Sequence, residues 1–501
     1  MTDCIVNSDL LRFSQFISSH MGLHFPEERW PDIQRGLRRA APEFGFTDAE
    51  ECIQWLMNSP LNKKQIEILA SHLTIGETYF FREKPIFEAL KARVLKELIQ
   101  SRRETSRRLR IWCAACASGE EAYSIAILLS SLIPDMINWN ITILATDINP
   151  HFLEKASQGL YKEWSFRNVP LDIKENNFSE SKDNSYQIRA DIKKMVRFSY
   201  LNLAEDTYPS LMNDTNAMDV ILCKNVLMYF NQKSQMKVVQ NLYNCLINKG
   251  WLIVSPCETS HILFSRFQTV NFSGTTFYKK VRRQPNPVPD TSAYSQSVSD
   301  SPPFVLESAA RPESFPSADL MPVPVPEASS DSFAPQPESV PETGPAPFEE
   351  ALSLYAQGRY PEVVDKLISS ADSNSQISSL MARAYANQGK LADALNWSEK
   401  TVSADKLNPG AYYLQATILQ EEGLIDEAMA ALKKALYLDP DFVLAHFALG
   451  NLTRQQGKNR ESERHFRNAL LLTKKRDRAE VLPESEGVTA GRLSEIISRN
   501  I

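Results

Sequence analysis

Arg82 and Asp147 are charged residues in sequence settings that suit a ligand. Arg82 follows three aromatic residues in "TIGETYFFREKPIF", residues 74–87, and a guanidinium in such apolar surroundings needs a carboxylate or a comparable acceptor. Asp147 ends the apolar run "NITILATD", at the position where doubly wound folds place an acid that binds the hydroxyls of a ribose. Asp147 therefore predicts a ligand that contains a ribose, and Arg82 predicts an acidic or comparable acceptor for its guanidinium.

Two further acids, Glu120 and Glu121, follow the preceding predicted strand at the start of a helix. Carboxylates here suit a ribose and a cationic ligand better than a pyrophosphate, and this turn lacks the G-x-G-x-x-G pattern of dinucleotide sites. Glutamates also stabilise the N-terminus of any helix. From these residues alone, helix capping and the binding of a cationic ligand both remain open.

Strand-like and helix-like segments alternate around these acids. Buried strands are predicted at "LRIWCAAC", "NITILATDI", "MDVILCKN" and "WLIVSP", and segments with helical periodicity follow the first three. This alternation predicts an α/β fold with a doubly wound parallel sheet. Residues 8–73 carry helical periodicity alone and predict a small helical domain. Residues 160–200 interrupt the α/β pattern and predict an inserted β-subdomain.

The length and composition predict a multidomain protein. At 501 residues the chain is too long for one core, and its net charge of -6 argues against a general nucleic-acid or membrane-surface binder. Its longest apolar runs fall short of the roughly 20 residues that span a bilayer, so we expect a cytoplasmic location. The scattered cysteines predict reduced thiols, and Cys113 and Cys116 lack the second ligand pair of a zinc site, so no metal is expected.

The C-terminal part of the chain contains a linker and a repeat. Residues 282–346 are rich in Pro, Ser, Glu and Ala and predict a disordered linker. Beyond it, glycines recur every 34 residues at Gly389, Gly423 and Gly457, which is the tetratricopeptide period. We expect all-α repeats over residues 347–475 that bind a protein or peptide, then a tail over residues 476–501. Because the linker is long and flexible, we expect these repeats to act as a tethered module and not as a fixed part of the ligand site.

Five segments in a fixed order resemble a known family. The chain is similar to CheR-type chemotaxis-receptor glutamate methyltransferases over residues 10–280, in "LTIGETYFFRE", "AACASGEEAYSIAI", "ATDIN", "VRFSYLNL" and "DVILCKNVLMYF". The resemblance implies a receptor-docking helical domain (residues 1–80), an S-adenosylmethionine-binding domain (residues 81–281) and methyl transfer to glutamates on the cytoplasmic helices of a chemoreceptor. The added repeats are similar to those of Wsp-like chemosensory methyltransferases.

The resemblance also implies a set of cofactor-binding residues. Asp147 would hold the ribose, Glu121 the amino group, and Asn202 and Leu203 the adenine side of the cofactor. Lys224 stands where the family usually has Arg, which keeps the charge but loses the bidentate geometry. The implied cofactor-binding residues are Gly76, Thr78, Arg82, Glu121, Asp147, Asn202, Leu203, Lys224 and Asn225.

The implied catalytic residues are Arg82 and Tyr229, which would orient the substrate carboxylate. The aromatic run at residues 79–81 would pack the helical domain on the sheet domain and exclude water. Substrate docking is suggested by the segment "RGLRRA", which places three arginines on adjoining turns of one helix: Arg35, Arg38 and Arg39. A simply solvated basic face is the equal alternative for this cluster.

Other functions remain open at this stage. A non-catalytic adaptor that senses the cofactor and works through its repeats is the main alternative, and a methyltransferase for small molecules is the second. Family members that are tethered to a receptor peptide carry a glycine-rich insertion in the β-subdomain. Residues 160–249 of this chain contain no glycine, which argues against peptide tethering at that subdomain.

Overall fold

The computed structural model describes residues 7–58, 60–181, 183–281, 347–370 and 374–498. The predicted disordered linker, residues 282–346, lies outside the described residues. The first domain is helical, and its apolar residues form one core that includes Phe13, Ile33 and Leu69. Its helices are α1 (Asn7–Met21), α2 (Trp30–Ala40), α3 (Ala49–Met57) and α4 (Lys63–Leu73).

A seven-stranded sheet forms the centre of the second domain. The strand order is β6-β2-β1-β7-β8-β10-β9, with parallel pairing from β6 to β8 and antiparallel pairing at β10 and β9. This confirms the predicted doubly wound fold. The strands are β1 (Arg108–Ala114), β2 (Asn140–Asp147), β6 (Val196–Tyr200), β7 (Met218–Cys223), β8 (Leu246–Ile253), β9 (Gln268–Phe272) and β10 (Thr275–Lys279).

Helices cover both faces of this sheet, because its central strands are apolar on both sides. All seven residues of β1 are buried, as parallel strands between two helical layers require. Separate apolar clusters lie on the two faces, one of which includes Tyr123 and the other Trp112. The helices of this domain are α5 (Lys84–Ala89), α6 (Lys96–Arg102), α7 (Glu120–Leu132), α8 (Pro150–Gln158), α9 (Leu171–Asn177), α10 (Ala190–Lys194) and α11 (Gln232–Cys245).

The inserted β-subdomain is a three-stranded antiparallel sheet with the order β3-β5-β4. Its strands are β3 (Leu160–Lys162), β4 (Phe178–Ser181) and β5 (Ser185–Ile188). Phe80 is buried against this subdomain, with its ring stacked on Phe166 at 5.1 Å and edge-on to Phe178. The aromatic run therefore anchors the inserted subdomain, whereas we had expected it to pack the helical domain.

Polar contacts join the helical domain to the sheet domain. Asn149 donates to the Thr74 hydroxyl at 2.9 Å, and Asn202 donates to the carbonyl of His20 at 2.8 Å. The backbone N–H of His24 donates to the carbonyl of Tyr229 at 2.6 Å. These contacts lie at the carboxyl ends of the parallel strands, so they fix the helical domain at that edge of the sheet.

The C-terminal residues form an array of antiparallel helix pairs. Gly389 and Gly423 each adopt a positive φ at the turn within a pair, which explains their recurrence. The predicted all-α repeat fold is confirmed. The helices are α12 (Pro347–Ala356), α13 (Tyr360–Leu367), α14 (Ser375–Asn387), α15 (Leu391–Ala404), α16 (Pro409–Glu422), α17 (Ile425–Leu438), α18 (Val443–Gln455), α19 (Asn459–Lys474) and α20 (Ala490–Ser498).

The repeats dock on the sheet domain at the amino ends of the parallel strands, and the two belong to one compact unit. Glu421 is buried and its carboxylate lies 3.0 Å from the guanidinium of Arg108, the first residue of β1. The other carboxylate oxygen accepts from Asn216 at 2.7 Å, and the Glu421 carbonyl accepts from Asn140, the first residue of β2, at 2.9 Å. Burial raises the pKa of the Glu421 carboxyl because it disfavours the ionised form. The nearby guanidinium of Arg108 acts in the opposite direction and offsets part of this cost.

Apolar and close backbone contacts extend this interface. Leu211 of the sheet domain is buried in a cluster with Leu414 and Ile418 of α16. A Cβ on Gly358 would lie 2.3 Å from the side chain of Asn244, so only glycine fits there. The repeats are thus held against the domain, and the expectation of a loosely tethered module fails. Linker length limits only the reach of a module, and complementary surfaces decide whether it docks.

None of the described helices is both long enough and apolar enough to cross a bilayer.

Replacement of Glu421 by Gln is expected to weaken the docking of the repeats. It leaves the Arg108 guanidinium buried without its carboxylate, and breaking a buried ion pair in this way costs about 3 to 5 kcal/mol. Calorimetry should show a lower unfolding midpoint, and limited proteolysis should release the repeats sooner. Glu422→Gln is the matched control, because this neighbour is exposed. Equal midpoints for the two variants would contradict the importance of the ion pair.

Candidate functional site

An open cleft of about 750 Å³ lies at the carboxyl ends of the parallel strands. One wall comes from the helical domain, through residues such as Phe25 and Arg29, and the other comes from the ends of β1, β2 and β7. Of the predicted site residues, five line the cleft: Asp147, Asn202, Leu203, Asn225 and Tyr229. Residues that are more than 50 positions apart in the sequence thus meet at one edge of the sheet.

The backbone at the strand ends is held in an unusual conformation. Ala115 and Ala117, directly after β1, have φ angles of 59° and 46°, and Asn225, after β7, has a φ of 59°. Left-handed conformations are costly for residues other than glycine and persist where surrounding contacts enforce them, often at functional sites. Here they turn the chain sharply away from the sheet, which opens space above the strand ends.

Asp147 has the geometry of a ligand-binding carboxylate. One carboxylate oxygen accepts from the backbone N–H of Ala117 at 2.9 Å, and the other accepts from Asn149 at 2.8 Å. Each oxygen has a further lone pair for a hydroxyl in the cleft. Burial raises the Asp147 pKa to about 6, although both backbone donors act in the opposite direction. A ligand that donates hydrogen bonds would favour the ionised form.

The loop that follows β6 forms another wall of the cleft. The side chain of Asn202 is fixed by its contact with the helical domain, and its backbone N–H donates to Asp206 at 2.7 Å. Asp206 in turn accepts from Arg492 of α20 at 2.8 Å. Asp206 and Arg492 were not predicted, since nothing in their sequence setting connects the two, and they link the end of the chain to the cleft.

Glu258 shapes the loop that carries Asn225 and Tyr229, and the sequence analysis missed it. Its carboxylate accepts from the backbone N–H groups of Asn225, Val226 and Met228 at 2.7, 2.8 and 3.2 Å. The segment "SPCE" gave a signal, because Ser255 and Glu258 form a capping box. A single buried carboxylate therefore satisfies the orphan donors of this loop.

Tyr229 lines the cleft next to a cation, Arg29. The guanidinium of Arg29 lies 5.3 Å from the centre of the Tyr229 ring and 4.9 Å from that of Phe25. Asp32 lies 3.3 Å from Arg29 and orients it. Arg29 was missed because its segment, "FPEERWP", gave no motif signal.

Lys224 joins two acids beside the cleft. Its ammonium lies 3.1 Å from Glu121 and 3.3 Å from Glu83, and it donates to the backbone carbonyl of Arg82 at 3.2 Å. Burial acts to lower the Lys224 pKa, but the two carboxylates outweigh burial and raise it. The alternative that Glu121 only caps a helix is thus incomplete, because Glu121 also neutralises a buried cation. Glu121 and Lys224 are not among the residues that line the cleft.

Three other predicted residues also lie outside the cleft lining: Gly76, Thr78 and Arg82. The Arg82 guanidinium contacts the carbonyl of Glu77 and lies 5.8 Å from the centre of the Tyr79 ring. A Cβ on Gly76 would lie 2.2 Å from the ring of Phe152, which itself lines the cleft. Because Gly76 has no side chain, the ring of Phe152 can pack directly against its backbone.

Cys113 and Cys116 belong to the core. Both thiols are free and buried, and burial raises the pKa of each. Within the described ranges, no group of three or more His, Cys, Asp or Glu residues could hold a metal ion.

Glu258→Gln is expected to loosen the loop over residues 225–229. An amide oxygen replaces a charged acceptor, and hydrogen bonds to charged groups are worth about 1.5 to 3 kcal/mol each. Hydrogen exchange of this segment should accelerate by about tenfold or more. The control Glu88→Gln changes an exposed acid that pairs with Lys84 on the surface. If the two variants exchange alike, Glu258 does not hold the loop.

Comparison with known proteins agrees with this geometry. Residues 76–274 match the family model of the CheR methyltransferase SAM-binding domain, and residues 416–457 match a TPR repeat. A chemotaxis protein methyltransferase of Borreliella burgdorferi is 30% identical over 257 residues, which are 51% of this chain and 89% of that protein. A probable chemotaxis protein methyltransferase of Rhizobium etli is 33% identical over 48% of this chain and 89% of that protein.

A further relative matches the repeats as well. The probable biofilm formation methyltransferase WspC of Pseudomonas aeruginosa is 26% identical over 439 residues, which cover 87% of this chain and 93% of that protein. S-adenosylmethionine is the cofactor of the matched domain, and the buried acid, the opened strand ends and the apolar wall at Phe152 fit its ribose and its flat adenine. The match to the cofactor-binding domain and the similarity to two chemotaxis methyltransferases over nearly their full lengths show that this chain belongs to the CheR methyltransferase family.

Proposed function

We propose that the protein methylates glutamate side chains of a chemoreceptor with S-adenosylmethionine as the methyl donor, and so tunes chemosensory signalling. The observation that carries the proposal is the cleft itself, in which a buried acid at the strand ends faces a wall from a separate helical domain. Such a cleft between domains is open to a protein segment. A methyltransferase for small molecules would favour an enclosed pocket.

Each wall of the cleft has a task in this proposal. When bound, S-adenosylmethionine supplies an electrophilic methyl group on a positively charged sulfur. Asp147 holds the ribose hydroxyls, and Asn202 and Leu203 form the adenine side. Asn225 contributes from the loop that Glu258 fixes. Glu121 would bind the cofactor's amino group, for which it would have to turn from Lys224, its partner beside the cleft.

The substrate carboxylate needs orientation more than activation. A glutamate is ionised at neutral pH and requires no general base. The protein therefore has to align this group and remove water from it. The Tyr229 hydroxyl is our first candidate donor, and Arg29 is a cation already in the cleft. Arg82 does not line the cleft, so it could serve in this role only after its side chain moves into it.

Helix α2 is proposed to dock the receptor. Arg35, Arg38 and Arg39 are exposed, while the opposite face of α2 is buried in the helical domain through Ile33 and Leu37. An acidic receptor helix would complement this basic face. The glycine-poor β-subdomain offers no insertion for a tethered receptor peptide, so docking through α2 would have to suffice.

The proposed activity is tested by incubating the protein with methyl-labelled S-adenosylmethionine and membranes from its own cells. Label should enter a receptor band and be released as methanol in base, since a glutamate methyl ester is base-labile. Cofactor binding without any labelled band would favour the adaptor alternative. A base-stable label would point to another methylated side chain.

Cofactor affinity is expected to depend on the ionisation of Asp147. Its pKa of about 6 means that acid protonates the acceptor of the ribose hydroxyls. Affinity for S-adenosylhomocysteine should therefore fall by about tenfold from pH 7 to pH 5 and be nearly constant above pH 7. Isothermal titration calorimetry measures this, with Asp147→Asn as the control that binds weakly at every pH. A dependence that persists in the Asn variant would assign the titration to another group.

Charge reversal on α2 is expected to impair receptor methylation alone. Changing Arg35, Arg38 and Arg39 to Glu should lower the rate at limiting receptor by about tenfold or more, because attraction becomes repulsion, while affinity for S-adenosylhomocysteine stays unchanged. Lys433→Glu with Lys434→Glu is the control, on the exposed face of α17. An unchanged rate in the α2 variant would leave these arginines as a solvated face.

A further inference from the structure

The segment after the last repeat helix folds back over the repeats. Residues 480–490, here called the C-terminal loop, are closed by a bridge between Val481 and Thr489 and by a hydrogen bond from Ala490 to the carbonyl of Glu480 at 2.8 Å. A tail had been predicted here from residue 476. The structure instead shows an ordered loop that brings an acidic stretch, "LPESE", onto the helices.

This loop crosses the first helix of each repeat pair in turn. Leu482 packs in one apolar cluster with Phe442 and Val443, next to α18. The Glu484 side chain lies against Gly410 of α16 and forms an ion pair with Arg383 of α14. The first helices line the concave surface on which repeat arrays bind extended partners. The loop thus lies where a peptide ligand would lie.

Glu486 is the most connected residue of the loop. One carboxylate oxygen accepts from the Arg383 guanidinium at 3.2 Å and from the Tyr355 hydroxyl of α12 at 3.3 Å. The other accepts from the backbone N–H of Leu211 in the sheet domain at 3.1 Å. One carboxylate therefore joins the first two repeat pairs to the sheet domain.

Arg383 gives the groove a built-in preference for acids. Its side chain is only 13% exposed, and it pairs with both Glu484 and Glu486. A buried guanidinium is costly unless acids neutralise it. Whatever occupies this part of the groove must therefore bring carboxylates with the spacing that Glu484 and Glu486 provide.

The loop also fills the groove incompletely. An open surface pocket lies beside it, lined by Pro483 of the loop, by Asn408 directly before α16 and by Phe442 directly before α18. Glu484 remains 33% exposed in its ion pair, so solvent reaches the contact.

We propose that residues 482–486 are an intramolecular ligand of the repeat groove, and that the same groove binds an acidic peptide of a partner protein. This peptide carries an apolar residue followed by two glutamates that are separated by one residue. The partner must displace the loop from Arg383 to bind. Peptide binding in this groove would not depend on the proposed methylation of glutamate.

The test uses the full chain and a fluorescent peptide, "EVLPESEGVT", that copies residues 480–489 and has blocked ends. The variant with Glu484→Gln and Glu486→Gln has a weakened internal competitor, so it should bind the peptide about tenfold or more tightly than the unmodified chain. Adding Arg383→Met to this variant should abolish binding. Glu463→Gln is the matched control, because Glu463 is a partly exposed acid of α19 that pairs with Arg467.

Fluorescence anisotropy measures these affinities, and circular dichroism checks folding. Equal peptide affinity in the double variant and the unmodified chain, with both folded, would overturn the proposal. If the double variant does not fold, hydrogen exchange of the unmodified chain decides. Residues 480–490 should exchange about tenfold or more faster than α18 through local opening, and equal protection of loop and helix would make the loop a fixed part of the repeats.

Discussion

The direction of the parallel strands is the constraint on which the rest of this structure depends. Because β6, β2, β1, β7 and β8 all run the same way, their carboxyl ends share one edge of the sheet and their amino ends share the other. The chain leaves the carboxyl edge in sharp turns, which open the cleft that Asp147 lines. The amino edge, where Arg108 begins β1 and Asn140 begins β2, serves as the seat for the repeats. The cleft and the repeats are thereby placed on opposite edges of one sheet.

Buried charges recur beside the cleft, at the repeat interface and under the C-terminal loop, and each is neutralised locally. Lys224 lies between Glu83 and Glu121 beside the cleft, Glu421 meets Arg108 at the repeat interface, and Arg383 meets the acids of the C-terminal loop. A buried pair contributes little net stability compared with apolar packing, but it strongly penalises a wrong partner. Such pairs therefore specify which surfaces meet, while apolar clusters supply most of the stability.

The loop between β6 and β7 connects the two edges. It begins at the cleft with Asn202, continues through Asp206, which Arg492 holds, and reaches Leu211, which packs among the repeats and donates to Glu486. The same short segment thus touches the cofactor side, the last helix and the repeat groove. None of the described repeat residues lines the cleft, yet the C-terminal loop and α20 contact the segment that forms one of its walls.

The sequence by itself determined the local structure and the identity of the family. Helical and strand periodicity, the glycines every 34 residues and five ordered motifs depend on neighbours in the chain, so they predicted the doubly wound domain, the repeats, the cofactor, and Asp147, Asn202 and Tyr229 as cleft residues. Contacts between distant segments carry no local signal. Only the tertiary structure therefore decided that Phe80 anchors the β-subdomain, that Glu258 and Arg29 shape the cleft, and that Glu421 fixes the repeats to the amino edge. The linker composition predicted mobility, but docking depends on the free energy of two complementary surfaces, which the spacing of residues along a chain does not encode.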